Sequence, residues 1–202
     1  TACATLPNLA QNQLGPQIET GNANETLYYS PSGPSDKASP EQIISGFLYA
    51  GNGPQEDYAV AREYLTASFA AKWKPAVETL IQSGETRIIS NTGTKIRLEV
   101  PFDARVAQDG TYESTPGSTR VIEFRLLQVF GNWRIASAPN LTILLRPNFG
   151  LLFQPVSVFF WDQTLTHLVP EIRWFPTKAA LATRITNAMI AGPSPWLEPW
   201  AS

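Results

Sequence analysis

Residues 119–138, TRVIEFRLLQVFGNWRIASA, limit what this chain can fold into more than any other stretch. Two runs rich in Val, Ile, Phe and Leu flank Gly131-Asn132, a pair that accepts the positive φ values demanded by a two-residue hairpin loop. With that loop, Phe130 stands opposite Trp133, and period-two alternation sets Gln128, Leu126, Phe124 and Ile122 on the same face. The other face mixes Glu123, Arg125 and Arg134 with Val121, Leu127 and Val129. One face is therefore large and apolar and has to be covered, and the helices that come earlier in the chain are the natural cover.

Those helices have local signals. Ser39-Pro40-Glu41-Gln42 places Ser at an N-cap, Pro at the first helical position and Gln where it completes a capping box. Ile43, Ile44, Phe47 and Leu48 follow as an apolar stripe, and Gly51-Asn52-Gly53-Pro54 stops the helix. Asp57 caps a second helix running to about Trp73, with Ala61, Tyr64, Leu65, Ser68 and Phe69 on one face. Val77, Leu80 and Ile81 extend a short helical segment to Gly84. The period then changes to two, and strands are expected over residues 86–91, 95–107, 141–145 and 156–161 besides the hairpin. Asn91-Thr92-Gly93 and Gln108-Asp109-Gly110 mark the earlier turns. A last helix over 177–190 has Leu181, Ile185, Ala188 and Met189 as its core face and Gly192-Pro193 as its stop.

Two or three helices followed by a run of antiparallel strands is an α+β order. It resembles the NTF2-like fold, a cone of helices packed on a curved antiparallel sheet. Residues 156–202 then make an incomplete β-α unit, too short for an ordinary domain, so the chain reads as a fragment of a longer protein.

Composition removes several classes of function. Hydrophobic residues are 43% and charged residues 16% of the 202, with a formal net charge of −2 and no Lys/Arg-rich run, so the footprint of a nucleic-acid binder is missing. The longest apolar region, 141–161, is interrupted by Arg146, Pro147, Asn148, Gly150 and Pro155, whereas a membrane helix needs roughly 20 mostly apolar residues. A single cysteine allows neither an internal disulfide nor a Cys-based metal site, and His, Asp and Glu lack ligand spacing. No cofactor or metal is expected.

The lone cysteine, Cys3, follows small residues and precedes a polar stretch, 4–38, rich in Pro, Gly, Asn, Ser and Gln. This is the pattern of a bacterial lipoprotein: a lipidated Cys and then a solvated tether with a reach of roughly 30 Å. His167, the one histidine, sits in a segment expected to be a surface loop, without a triad partner. Inside a cone, Asp103 with Tyr49, Tyr64, Phe69, Phe124 and Trp133 is the candidate pocket, Asp103 serving as acid or base. Phe149, Leu151, Leu152 and Phe153, and the terminal Trp196 and Trp200, are candidates for an interaction surface.

Four segments carry a closer resemblance: the amino-terminal T-A-C-A-T-L-P, the A-R-E-Y-L-T helix with its W-K-P, the V-F-F-W-D…L-V-P-E-I-R-W-F-P strand and loop, and A-L-A-T-R-I-T-N-A-M-I running into A-G-P-S-P-W-L-E-P. Together the chain resembles the LpqB lipoproteins of actinobacteria. The resemblance implies lipid attachment at Cys3, an NTF2-like domain over 39–155 and the start of a GerMN domain over 156–202, with a β-propeller to follow. It implies a non-enzymatic, extracytoplasmic accessory protein, anchored in the cell membrane and acting with the sensor kinase MtrB of the MtrAB two-component system in envelope homeostasis and division. A small-ligand-binding or catalytic module using the pocket is the alternative.

Overall fold

The computed structural model describes residues 31–52, 58–177 and 180–201 of an α+β protein. Helix α1, Pro40–Ala50, begins as its sequence dictates. Ser39 Oγ accepts from the Gln42 N–H at 3.3 Å, and Gln42 Oε1 accepts from the Ser39 N–H at 2.8 Å. Its buried side is Ile43, Ile44, Phe47 and Ala50. Of the second expected helix, Asp57 lies outside the described residues, and the remainder is divided into α2, Ala59–Glu63, and α3, Ala67–Ala70. The break has a cause. The Ile135 N–H donates to the Tyr64 carbonyl at 2.9 Å and the Thr66 N–H donates to the Ile135 carbonyl at 2.8 Å. An edge strand with free backbone groups captures the chain there, and Thr66 Oγ recaps α3 by accepting from the Phe69 N–H.

The main sheet holds β1 (Glu78–Gln82), β2 (Arg87–Asn91), β3 (Lys95–Ala107), β4 (Tyr112–Val129), β5 (Asn132–Ser137) and β6 (Thr142–Leu145). Its order is β5-β4-β3-β1-β6, with β2 paired on β3. All pairings are antiparallel except β1 with β6, which run parallel and share a Thr79–Thr142 hydroxyl hydrogen bond of 3.0 Å. The helical segment expected at Val77–Ile81 is thus a correction: after one 3-10 turn, Pro75–Val77, the chain becomes a strand inside the sheet. Leu80 faces the helices and Ile81 faces a second cluster on the other side, both fully buried. A strand covered on both faces reads as a continuous apolar run, which periodicity cannot tell from a buried helix.

The hairpin forms with another correction. Its loop is Phe130-Gly131, with φ of 51° and 79°, rather than Gly131-Asn132. Trp133 therefore pairs with Gln128, and Ile135 with Leu126. The change shifts partners without exchanging faces, and it sets Ile135 against another buried residue instead of the exposed Gln128. Ile122, Phe124, Leu126 and Ile135 face the core as expected, whereas Phe130 is 100% exposed.

After the sheet come α4 (Arg146–Leu152), β7 (Phe153–Trp161), β8 (Leu168–Pro176) and α5 (Leu181–Ala191). Strand β8 corrects the reading of 164–170 as loop from Leu168 onward, since β7 and β8 form an antiparallel ribbon, while residues 164–167 are the turn between them. Its alternation is inverted: Glu171, Arg173 and Phe175 point inward while Leu168, Pro170 and Ile172 point out. No binary pattern announces a strand whose inner face is charged. On α5, Ala188 is buried, but Met189, expected on the core face, is exposed.

Candidate functional site

Among the described residues, Tyr49, Tyr64, Phe69, Asp103, Phe124 and Trp133 are not gathered around one void: Phe124 lines one and Tyr64 another. Phe124 and Tyr64 are buried members of the main core, and Phe69 and Trp133 pack against it. The Tyr64 hydroxyl donates to the Ser32 carbonyl at 2.8 Å; burial, helped by the charge of Glu63, pushes its pKa up, so it is no base at neutral pH. Tyr49 is on the exposed side of α1. Asp103 sits where the pairing of β3 shifts, seven residues along from Ile96, the strand partner of Phe124, which at 3.3 Å per residue is roughly 23 Å away. There its carboxylate meets Arg146 at 3.4 Å and accepts from the Gly117 N–H. The void beside Phe47, Trp73 and Phe124 measures about 10 Å³, room for a single water. A wider open cleft of about 560 Å³ lies between α5 and the β3–β4 turn, lined by Gln108, Asp109, Thr183, Arg184 and Asn187 among others.

His167 stands in the β7–β8 turn with Asp162 beside it. That carboxylate accepts from the Thr164 hydroxyl and from the Thr166 and His167 N–H groups, and these bonds hold its pKa far below the ordinary value. Asp162 ties the turn, while His167 points to solvent, 3.4 Å from the carboxylate. Among the described residues no group of three His, Cys, Asp or Glu side chains is placed to hold a metal, and no helix is long and apolar enough to cross a membrane.

What sequence reasoning missed is a buried ionic node. Arg173, 0% exposed, reaches from β8 to partners in its own strand, the β3–β4 turn and the end of α5. Its guanidinium donates to Asp109 Oδ2 at 2.7 Å, Glu171 Oε2 at 2.7 Å, Thr111 Oγ1 at 2.8 Å and the Gly192 carbonyl at 3.0 Å. Asp109 and Thr111 belong to the β3–β4 turn, Glu171 to β8, and Gly192 ends α5. Burial by itself would raise the Asp109 carboxyl, but the Thr111 N–H and hydroxyl and the Arg173 guanidinium outweigh it and hold it below its usual value. The same turn brings Gly110 against Phe175, and the Trp174 N–H donates to the Gly110 carbonyl at 2.8 Å. The ribbon is thereby locked to the main sheet in one orientation, by bonds that lose their geometry if it rotates.

Locking matters for what the ribbon presents. Its inner face packs Val158 and Phe160 on Leu197 and Ala201 of the terminal segment. Its outer face pairs Phe159 with Pro170, Trp161 with Leu168 and Ser157 with Ile172, and the apolar members Phe159, Trp161, Leu168 and Ile172 are each about half exposed or more, Ile172 reaching 61%. Four large apolar side chains in register on one rigid face exceed the scattered exposure of an ordinary surface. The sequence-expected surface residues divide: Phe149 and Phe153 are buried, stacked at 4.8 Å beneath α4 with Leu152 packed beside them, while Leu151, Trp196 and Trp200 are exposed. Cys3 lies outside the described residues. A signal for the outer face was present in V-F-F-W and L-V-P-E-I, but only the pairing shows that Phe159, Trp161, Leu168 and Ile172 point the same way.

The described residues thus form an α+β protein with an apolar outer face on the β7–β8 ribbon and an open cleft beside α5. The amino-terminal domain model of lipoprotein LpqB matches residues 33–150, more than half of the chain, and the chain belongs to the LpqB lipoprotein family. Similar proteins include the Lipoprotein LpqB of Cutibacterium acnes, 28% identical over 95% of this chain and 32% of its own, and that of Bifidobacterium longum, 32% identical over 98% of this chain and 37% of its own. That of Thermobifida fusca is 26% identical over 98% of this chain and 34% of its own. The chain thus spans about a third of the length of these curated relatives. No solved structure matches it.

Proposed function

We propose that this chain is the amino-terminal part of a lipid-anchored accessory protein on the extracytoplasmic face of the cell membrane, docking on the sensor domain of a two-component kinase, MtrB of MtrAB, without chemistry of its own. Membership in a lipoprotein family supports anchoring at Cys3, and acylation is adequate physically, since each buried CH₂ contributes about 0.8 kcal/mol and a diacylated Cys carries two chains. In this reading residues 1–38 are the tether, 39–155 an NTF2-like cone and 156–202 the beginning of a GerMN domain.

The observation that carries the docking role is the outer face of the β7–β8 ribbon, with Phe159, Trp161, Leu168 and Ile172 exposed in register. An interface needs a few large apolar anchors on a surface that does not rearrange. The ribbon has both, because the Arg173 node fixes it. The test is calorimetric titration of the full-length ectodomain against the extracytoplasmic domain of the kinase, repeated with Phe159→Asp/Ile172→Asp. Micromolar or tighter binding is expected to weaken at least tenfold in the variant with its unfolding midpoint unchanged. Wild-type affinity in the double variant removes the ribbon from the interface, and absence of binding by the wild type removes the adaptor role.

A further inference from the structure

Among the described residues nothing packs on Phe130 at the tip of the β4–β5 hairpin. Phe130 occupies the first loop position with φ of 51°, a region that any residue with a Cβ enters at a steric cost, and its phenyl ring is entirely in water. Asn, Asp or Gly would satisfy both the backbone and the solvent at this place. Behind it, Val129 and Leu127 are also exposed, and both project from the outer side of the strand, away from the core residues Phe124 and Leu126. From Gln128 to Asn132 the tip has no carboxylate. The nearest on the hairpin, Glu123, is held by Lys95 at 2.9 Å and by Arg125; Asp36 and Lys37 adjoin each other across from the tip.

The same end of the sheet receives the chain coming from Cys3. Ser32 accepts from the Tyr64 hydroxyl, Tyr64 is hydrogen-bonded to Ile135, and the Lys37 N–H donates to Asn132 Oδ1 at 2.9 Å. The chain from Cys3 thus first meets the described fold at Ser32, on the Tyr64 side chain, and residues 32–37 lead from there to the hairpin tip, where Lys37 bonds Asn132 two positions from Phe130. We propose that this hairpin tip is a membrane contact: Phe130, backed by Val129 and Leu127, inserts into the interfacial layer of the bilayer that holds the lipid anchor. Aromatic side chains favour that layer. Two attachments, acyl chains and tip, orient the domain so that α5 and the ribbon face away from the hairpin end, whereas acyl chains alone leave it free to turn. The inference rests on the lipid-anchor reading of Cys3.

The test places p-benzoylphenylalanine at position 130 of the full-length lipoprotein, with position 108, in the exposed turn at the opposite end of β4, as control. Membranes are irradiated and the adducts are identified by mass. Phospholipid adducts at 130, at least tenfold above those at 108, are the expected result. Adducts to protein at 130 assign the tip to a protein partner and overturn the proposal, as does the absence of any lipid adduct at 130, and at 127 when the probe is placed there instead, in protein that remains membrane-bound. A Cys3→Ala protein separates the two readings: if it fractionates with membranes like the wild type, the anchor reading fails whatever the adducts show, while an anchored wild type without lipid adducts fails the tip alone.

Discussion

Replacing Arg173 by Met tests the node that joins the ribbon to the main sheet. The side chain is 0% exposed, and Glu171 beside it is 4% exposed. Methionine fills a similar volume, so the loss is chiefly electrostatic. Two charge-assisted hydrogen bonds of 2.7 Å disappear, each of which contributes about 1.5–3 kcal/mol. Glu171 is left buried with the Ser194 N–H at 3.2 Å as its remaining donor. Asp109, a third exposed, relaxes toward solvent and the Thr111 hydroxyl. Breaking one side of a buried pair costs about 3–5 kcal/mol, and that is the expected loss in urea unfolding followed by tryptophan fluorescence and circular dichroism. Substituting both charges, Glu171→Leu with Arg173→Met, should restore most of it, because a well-packed apolar replacement of a buried pair is close to neutral. A single variant that loses less than about 1 kcal/mol, or a double variant as unstable as the single, refutes the argument that the charges lock the ribbon.

Other outcomes follow from the same geometry. Gly110→Ala must hold φ of +85° with a Cβ 2.7 Å from the Phe175 ring, so it should cost about 2 kcal/mol or more and lower the melting temperature by roughly 5 °C. Phe130→Asn relieves a left-handed backbone strained for Phe and should stabilise the domain by about 0.5–1 kcal/mol while reducing its association with vesicles; a destabilised variant would show that the ring packs in the folded domain. For pH, the folded Asp109 carboxyl lies below its ordinary 3.8. The stability it contributes is complete above about pH 4 and is lost as pH falls through the lower folded value. Acid titration of Asp109→Asn should therefore lose less stability between pH 5 and 2 than the wild type does.

The legible parts of this chain were those whose reasons are local. The Ser39 capping box, the 95–107 strand and the core positions Ile122, Phe124 and Leu126 of the hairpin appear where the residues put them, because a cap or a two-residue period is decided within a few residues of itself. Membership in the LpqB lipoprotein family was legible in the quoted motifs, and the family match agrees with it. The failures share a different origin. The break between α2 and α3 depends on Ile135, some seventy positions later in the chain, and β1 is a strand because β3 and β6 lie on either side of it.

The candidate site divides in the same manner. That Trp196 and Trp200 are candidates for an exposed surface could be read from P-W-L-E-P-W, and both are exposed. Tertiary structure alone decided that Phe149 and Phe153 are core while Phe159 and Ile172 are surface, and that Asp103 is far from Phe124. It alone decided that Arg173, Asp109 and Glu171, charges with no sequence neighbourhood to suggest it, meet inside the protein. Spacing along a chain specifies which way a side chain points relative to its own element; which elements come together is settled by the burial and hydrogen bonding of all of them at once.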